Sequence, residues 1–172
     1  MRNFVLGFLS GIVVVAGSMF GYLRLGLAEI RADLPPSRWE NSLMYAAVHA
    51  SVRREVPDIP NPIKPTDENL IAGGKFYLDA CAGCHGTPGK PEEGKGPVLY
   101  PPIPELPVAG TEYSEAQIFW VAKHGIRRTG MFANGVWDSD QKLWTLAAYI
   151  YRIKKLPPRV AAEIEKAAKS GD

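Results

Sequence analysis

The pentapeptide Cys81-Ala82-Gly83-Cys84-His85 constrains this chain more than any other stretch, because it holds both cysteines of the 172-residue sequence and one of its three histidines. Two thiols three positions apart, followed at once by an imidazole, have the spacing of a covalent haem attachment site. Each thiol can form a thioether to one vinyl group of a haem, and the histidine reaches the iron from the same face. A structural zinc site needs four ligands, commonly two such pairs or one pair with two regularly spaced histidines. Here His49 and His124 lie far to either side. A thioredoxin-like redox pair follows a strand in a βαβ setting, whereas residues 67–80 read as a helix. A plain disulfide is the simplest alternative.

Near the N-terminus, residues 3–23 carry no charged side chain. A helix rises about 1.5 Å per residue, so roughly twenty residues cross a hydrocarbon core, and this run is long enough to span. Gly26-Leu27-Ala28 offers a candidate cleavage site for a secretory signal, but the length of the apolar run favours an uncleaved anchor. Gly7, Gly11, Gly17 and Gly21 form two small-xxx-small pairs, a spacing at which a partner helix can approach closely; a lone tether is the alternative. Counting basic residues alone, Arg2 against Arg24, Arg31 and Arg38, would keep the following domain inside, yet long domains translocate largely regardless of charge.

Charge elsewhere is balanced. Of the twenty basic residues, eighteen follow Glu29 and face eighteen acidic ones, so the net charge of +2 comes from Arg2 and Arg24. No basic footprint for nucleic acid is present. Two cysteines in an exported chain would ordinarily pair; haem attachment consumes both.

Local signals divide the chain into an anchor at 1–28, a helical spacer with a proline-rich linker at 29–65, a haem domain at 66–156 and a peripheral helix at 157–172. Pro35-Pro36 ends any continuing helix, and Ser37-Arg38-Trp39-Glu40 has capping-box spacing. In the helix it opens, Trp39, Leu43, Ala46, Ala47 and Ala50 share one face, read as packing on the globular domain or on a membrane surface. Pro57, Pro60, Pro62 and Pro65 then impose an extended segment. Thr66-Asp67-Glu68 opens a helix in which Leu70, Gly73, Gly74 and Tyr77 fall at i, i+3, i+4, i+7. Glycines inside a helix cost about 1 kcal/mol each relative to alanine, so this bare patch predicts a closely crossing helix. Ser114-Glu115-Ala116-Gln117 starts another helix, through Lys123 or His124. Asp138-Ser139-Asp140-Gln141 starts a third, with Leu143, Leu146, Ala147 and Ile150 on one face. No period-two run reaches strand length, which makes the fold all-α, with long loops at 86–110 and 125–137. Beyond Pro157-Pro158, residues 159–169 are alanine-rich and charged, with few apolar anchors. Some ninety residues make a small core, and a large buried cofactor explains how such a domain folds.

Iron held by one histidine needs a sixth ligand or an open position. Among the four methionines, Met1 and Met19 belong to the apolar run, Met44 precedes the haem domain, and Met131 sits in the loop Thr129-Gly130-Met131 before the last core helix. Met131 is therefore the candidate ligand, and a soft thioether favours ferrous iron and raises the reduction potential. The alternative is a loop methionine filling a core gap. Trp120, Trp137, Trp144 and Tyr100 read as ordinary core, with bordering the haem as the other reading. Lys123, Arg127 and Arg128 read equally as a docking patch or a solvated basic face.

Over residues 66–153 the chain resembles the small single-haem, class I cytochrome c family. Gly73 and Tyr77, eight and four positions before Cys81, are similar to its N-terminal helix, and Leu146 and Tyr149 to its partner helix. Gly96-Pro97-Val98-Leu99 resembles the Gly-Pro-x-Leu segment whose proline carbonyl supports the proximal histidine. Gly125-Ile126-Arg127-Arg128-Thr129-Gly130-Met131-Phe132-Ala133 is similar to the bacterial methionine loop, with Phe132 where many relatives have proline.

The resemblance implies a cytochrome c-like domain behind an N-terminal transmembrane helix, with one covalent haem c held by Cys81 and Cys84 and ligated by His85 and Met131. It implies a one-electron carrier rather than an enzyme, without a small-molecule substrate. The partners would be redox proteins or a membrane oxidoreductase complex of a respiratory chain. The domain would face the periplasm or exterior, since haem attachment to C-x-x-C-H proteins in bacteria occurs outside the cytoplasmic membrane. The competing reading is a haem enzyme or gas sensor with an open distal site, for which His124 and Arg127 or Arg128 are the available polar groups.

Overall fold

The computed structural model describes residues 1–90 and 99–170. Two compact units are distinguished, Met1–Leu34 and Pro35–Asp172. Among the described residues there is no strand, only an isolated bridge between Thr87 and Lys90, and the all-α expectation holds.

The first unit contains α1 (Arg2–Arg24), 23 residues of almost wholly exposed side chains. At about 1.5 Å per residue it is some 34 Å long, enough for a hydrocarbon core of about 30 Å.

The second unit begins with α2 (Arg38–Glu55), whose N-cap Ser37 accepts from the Glu40 amide. It continues with α3 (Asp67–Ala80) and the single turn α4 (Ala82–His85). Then come the short α5 (Leu106–Ala109) inside the expected long loop, and α6 (Glu115–His124). A 3₁₀ turn at Asn134–Val136 leads to α7 (Asp140–Arg152) and α8 (Pro158–Ser170). The caps foreseen from local chemistry form: Thr66 accepts from the Asn69 amide, Ser139 from that of Lys142, and Ser114 and Gln117 make a full capping box. Each supplies an acceptor to amides that a helix leaves unpaired.

The core is built where α3 crosses α7. A Cβ added at Gly73 would run into the carbonyl oxygen of Thr145, and one at Gly74 would lie 2.5 Å from Cδ1 of Ile164. Gly73 therefore lets the α7 backbone approach α3, as its placement predicted, and Gly74 makes room for the Ile164 and Tyr149 side chains. Leu70 and Tyr77 of α3 meet Leu143, Leu146, Ala147 and Tyr149 of α7, all essentially inaccessible to solvent. The Tyr77 and Tyr149 rings lie 5.6 Å apart. Phe119 of α6 stacks on Trp144 at 4.1 Å. Glu115 pairs with Arg152 at 2.7 Å and also accepts from Asn61 at 2.5 Å, while Asn61 donates to the Trp144 carbonyl as well. The proline-rich segment is thus pinned to the α6–α7 pair.

One expectation is narrowed and two are corrected. The face of α2 that packs is Met44, Val48 and Val52, the last fully buried, while Trp39, Leu43, Ala46, Ala47 and Ala50 are exposed. The helix has two apolar stripes, and the one carrying the larger side chains is not the one that docks. The C-terminal helix is not peripheral, because Val160 and Ile164 of α8 are wholly buried against α3. Two branched side chains four positions apart suffice when a glycine lies opposite. Finally, Trp137 is exposed at its 3₁₀ turn, touching Phe132 edge-on at 5.9 Å, rather than core.

Replacing Gly73 by alanine forces α3 off α7, and is expected to destabilise the haem-loaded protein by about 2 kcal/mol, in the range for overpacking a tight core. Denaturant unfolding of Gly73→Ala checks this; unchanged stability would mean that the crossing can relax without cost.

Candidate functional site

Cys81, Cys84 and His85 are presented together because α3 stops at Cys81 and the chain immediately makes the single turn α4. The amides of Cys84 and His85 both donate to the Cys81 carbonyl, at 3.1 and 2.9 Å. This turn puts the two thiols on adjacent rungs of one face. Both are free and partly exposed. Burial pushes the Cys81 thiol up to about 12, with the neighbouring Cys84, Asp138 and Asp79 adding to the effect, so it stays protonated at neutral pH. The turn is held from beneath by Tyr77, whose buried hydroxyl lies 2.8 Å from the Gly86 carbonyl and 3.2 Å from that of His85. Burial raises the pKa of this phenol strongly and keeps it a donor.

The His85 ring is oriented by its Nδ1, 3.0 Å from the carbonyl oxygen of Pro104. A carbonyl only accepts, so Nδ1 carries the proton and Nε2 keeps its lone pair. Burial holds the imidazole below its ordinary pKa, against the opposing pull of the Pro104 carbonyl, and favours this neutral form. Sequence reasoning expected the supporting carbonyl from Pro97. Gly96, Pro97 and Val98 lie outside the described residues, and the support seen comes from Pro104. That carbonyl belongs to the Pro101-Pro102-Ile103-Pro104 run, and the signal available beforehand was a proline-rich extended segment entering α5.

Met131 is half-buried in a loop tied by its own backbone. The Met131 carbonyl accepts from the Ile126 amide at 2.9 Å, and the Met131 amide donates to Oγ1 of Thr129 at 3.0 Å. That same hydroxyl donates to the Ile126 carbonyl at 2.7 Å. Two backbone positions make the loop possible: Arg128 takes a positive φ of 63°, and Gly125 one of 64°. A Cβ on Gly125 would also sit 2.6 Å from the Met131 carbonyl oxygen. Asn134 locks the far side of the loop, donating to the Ala122 carbonyl of α6 at 3.0 Å.

One segment touches both halves of the site. Leu99 lies against Gly130 so closely that a Cβ there would overlap it, while Pro104, five residues on, holds His85. Between them Tyr100 is half-buried, its pKa raised by burial and by the Glu40 carboxylate of α2. The other residues singled out from sequence have different surroundings. Trp144 is core and Trp120 tilts over His124 at 5.1 Å, with His124 itself exposed. Lys123 is neutralised by Asp140 at 2.7 Å, so of the basic trio only Arg127 and Arg128 stand exposed without an ion pair.

The donor set fits a haem: two free thiols at the i, i+3 positions of one turn, an adjoining neutral imidazole with Nε2 available, and a thioether in a separately braced loop. Among families, residues 68–150 match the family model described as cytochrome c oxidase, cbb3-type, subunit III. That stretch runs from the first turn of α3 to near the end of α7. No solved structure matches the chain.

Phenylalanine at position 77 keeps the ring and removes the hydroxyl that bonds the turn. Tyr77→Phe is expected to cost about 1 kcal/mol, with the buried Gly86 carbonyl losing its donor, read by denaturant unfolding of the loaded protein. Equal stability of the two proteins would assign the tyrosine to packing alone.

Proposed function

From the premise that residues 68–150 are a c-type cytochrome domain of the single-haem, class I kind, which carries covalently bound haem and transfers electrons through it, we propose a membrane-anchored one-electron carrier. In this reading Cys81 and Cys84 tether one haem c, and His85 and Met131 are its axial ligands. The observation that carries the assignment is the single turn bearing both free thiols beside an imidazole whose Nδ1–H is committed to Pro104.

When bound, haem supplies reversible one-electron chemistry, and the protein supplies binding, orientation and dielectric. Pro104 fixes the ring plane of His85 and raises its basicity through the Nδ1–H bond. Thr129 and Gly125 hold the Met131 backbone in one arrangement. A thioether opposite an imidazole favours the ferrous state and raises the potential. The braced methionine loop, together with the exposed position of His124, argues against an open distal site.

In this proposal α1 is an uncleaved anchor in the cytoplasmic membrane and the haem domain lies on its outer side. The family description supports a role as the haem subunit of a larger oxidase, and the tether supports a carrier shuttling between redox partners.

Intact-mass analysis is expected to show one haem covalently retained by the native chain and none by the Cys81→Ser/Cys84→Ser double variant. An unmodified native polypeptide with two free thiols would overturn the attachment. Met131→Ala is expected to abolish the weak near-infrared methionine–iron band of the oxidised protein, lower the potential and admit small external ligands. Persistence of the band would assign the sixth position to another residue.

A further inference from the structure

The outward stripe of α2 is apolar, exposed and without a partner among the described residues. Trp39 is 72% and Leu43 59% exposed, and Ala46, Ala47 and Ala50 are exposed beside them. At about 100° per residue these five positions fall within roughly a third of the helix circumference. The opposite stripe, Met44, Val48 and Val52, is committed to the domain, reinforced where the His49 ring lies tilted between Tyr45 and Tyr113, with centroids at 4.0 and 4.8 Å. This helix is therefore a fixed part of the domain surface, and its outer face has a fixed direction.

We propose that this outer face docks the haem domain onto the surface of the membrane that α1 crosses. The inference rests on the reading of α1 as an anchor. Its basis is fourfold. An indole at the helix start has the amphipathic character that favours the headgroup boundary. The border of the stripe is basic, with Arg53 at its C-terminal end and Arg38 beside Trp39, whereas Glu40 is turned inward toward Tyr100 and Glu55 and Arg54 neutralise one another at 2.5 Å. That charge pattern complements anionic phospholipid headgroups. The exposed side chains Leu25, Leu27, Ile30 and Leu34 continue the apolar character from the end of α1 toward α2.

The fourth consideration is chain length. Residues 25–37 are the whole connection between α1 and α2, and even fully extended they reach no further than about 45 Å. A stripe of one tryptophan, one leucine and three alanines binds a bilayer weakly by itself. Held by a short tether, it meets the surface at an effective concentration of about millimolar, and weak docking becomes well populated.

The test uses the full-length, haem-loaded, reduced protein in vesicles of phosphatidylcholine alone or mixed with phosphatidylglycerol. Spin labels are placed singly through Ala46→Cys on the outer stripe, Asn41→Cys on the opposite side and Val13→Cys in the middle of α1. Collisions with oxygen and with a water-soluble nickel complex then report lipid and water. Docking predicts that in the mixed vesicles the label at 46 becomes nickel-shielded and oxygen-accessible while the label at 41 stays in water. Arg38→Gln/Arg53→Gln should lower the docked-to-free ratio about thirtyfold. With the label at 13 shielded by lipid, equal nickel access at 46 in both vesicle types overturns the docking and leaves the anchor standing. Shielding at 46 that requires added native membrane proteins overturns it too, in favour of a protein partner. Nickel access at 13 overturns the anchor and the docking together.

Discussion

The close crossing of α3 and α7 is the constraint on which the rest of the second unit depends. Because Gly73 has no side chain, the Thr145 backbone can lie directly against α3, and because Gly74 has none, Ile164 of α8 fits there too. The approach brings Tyr77 and Tyr149 into ring contact and fixes the level at which α3 ends. That end is Cys81. The helix pair thus sets the position of the turn that bears Cys81, Cys84 and His85, and Tyr77 carries the constraint across by holding the carbonyls of His85 and Gly86.

The two proposed ligands are secured by different means. His85 is held by a rigid turn and by one carbonyl, and the protonation of Nδ1 follows from that carbonyl's inability to donate. Met131 is held by a net of backbone bonds around Thr129, in a loop that needs left-handed backbone at Arg128 and Gly125. Residues 99–104 connect the two arrangements, meeting the methionine loop at Leu99 and the histidine at Pro104. An alteration in this short segment reaches both sides of the iron in the proposed site.

Much of the fold was legible in the sequence wherever its cause is local. The starts of α2, α3, α6 and α7 follow from Ser37, Thr66, Ser114 and Ser139 accepting amides within three residues, and the glycine pair in α3 announced a helix crossing. What was misread depends on tertiary partners. The α2 sequence offers two apolar stripes, and only the domain's own surface selects Met44, Val48 and Val52. The composition of α8 is that of a solvated helix, yet Val160 and Ile164 are core, and Ile164 fits because Gly74 leaves it room. The candidate ligands could be named from spacing, but the carbonyl beside His85 could not, since any of several prolines might have supplied it and only the path of the loop brings Pro104 there.

Asn61 has a mechanical meaning. The chain that leaves α2 must pass this residue before it enters α3, and there it is fastened to Glu115 and to the Trp144 carbonyl. Glu115 is in turn braced by Arg152. A pull or a thermal swing arriving from the N-terminal side is therefore received by the α6–α7 pair and spent on the bulk of the domain.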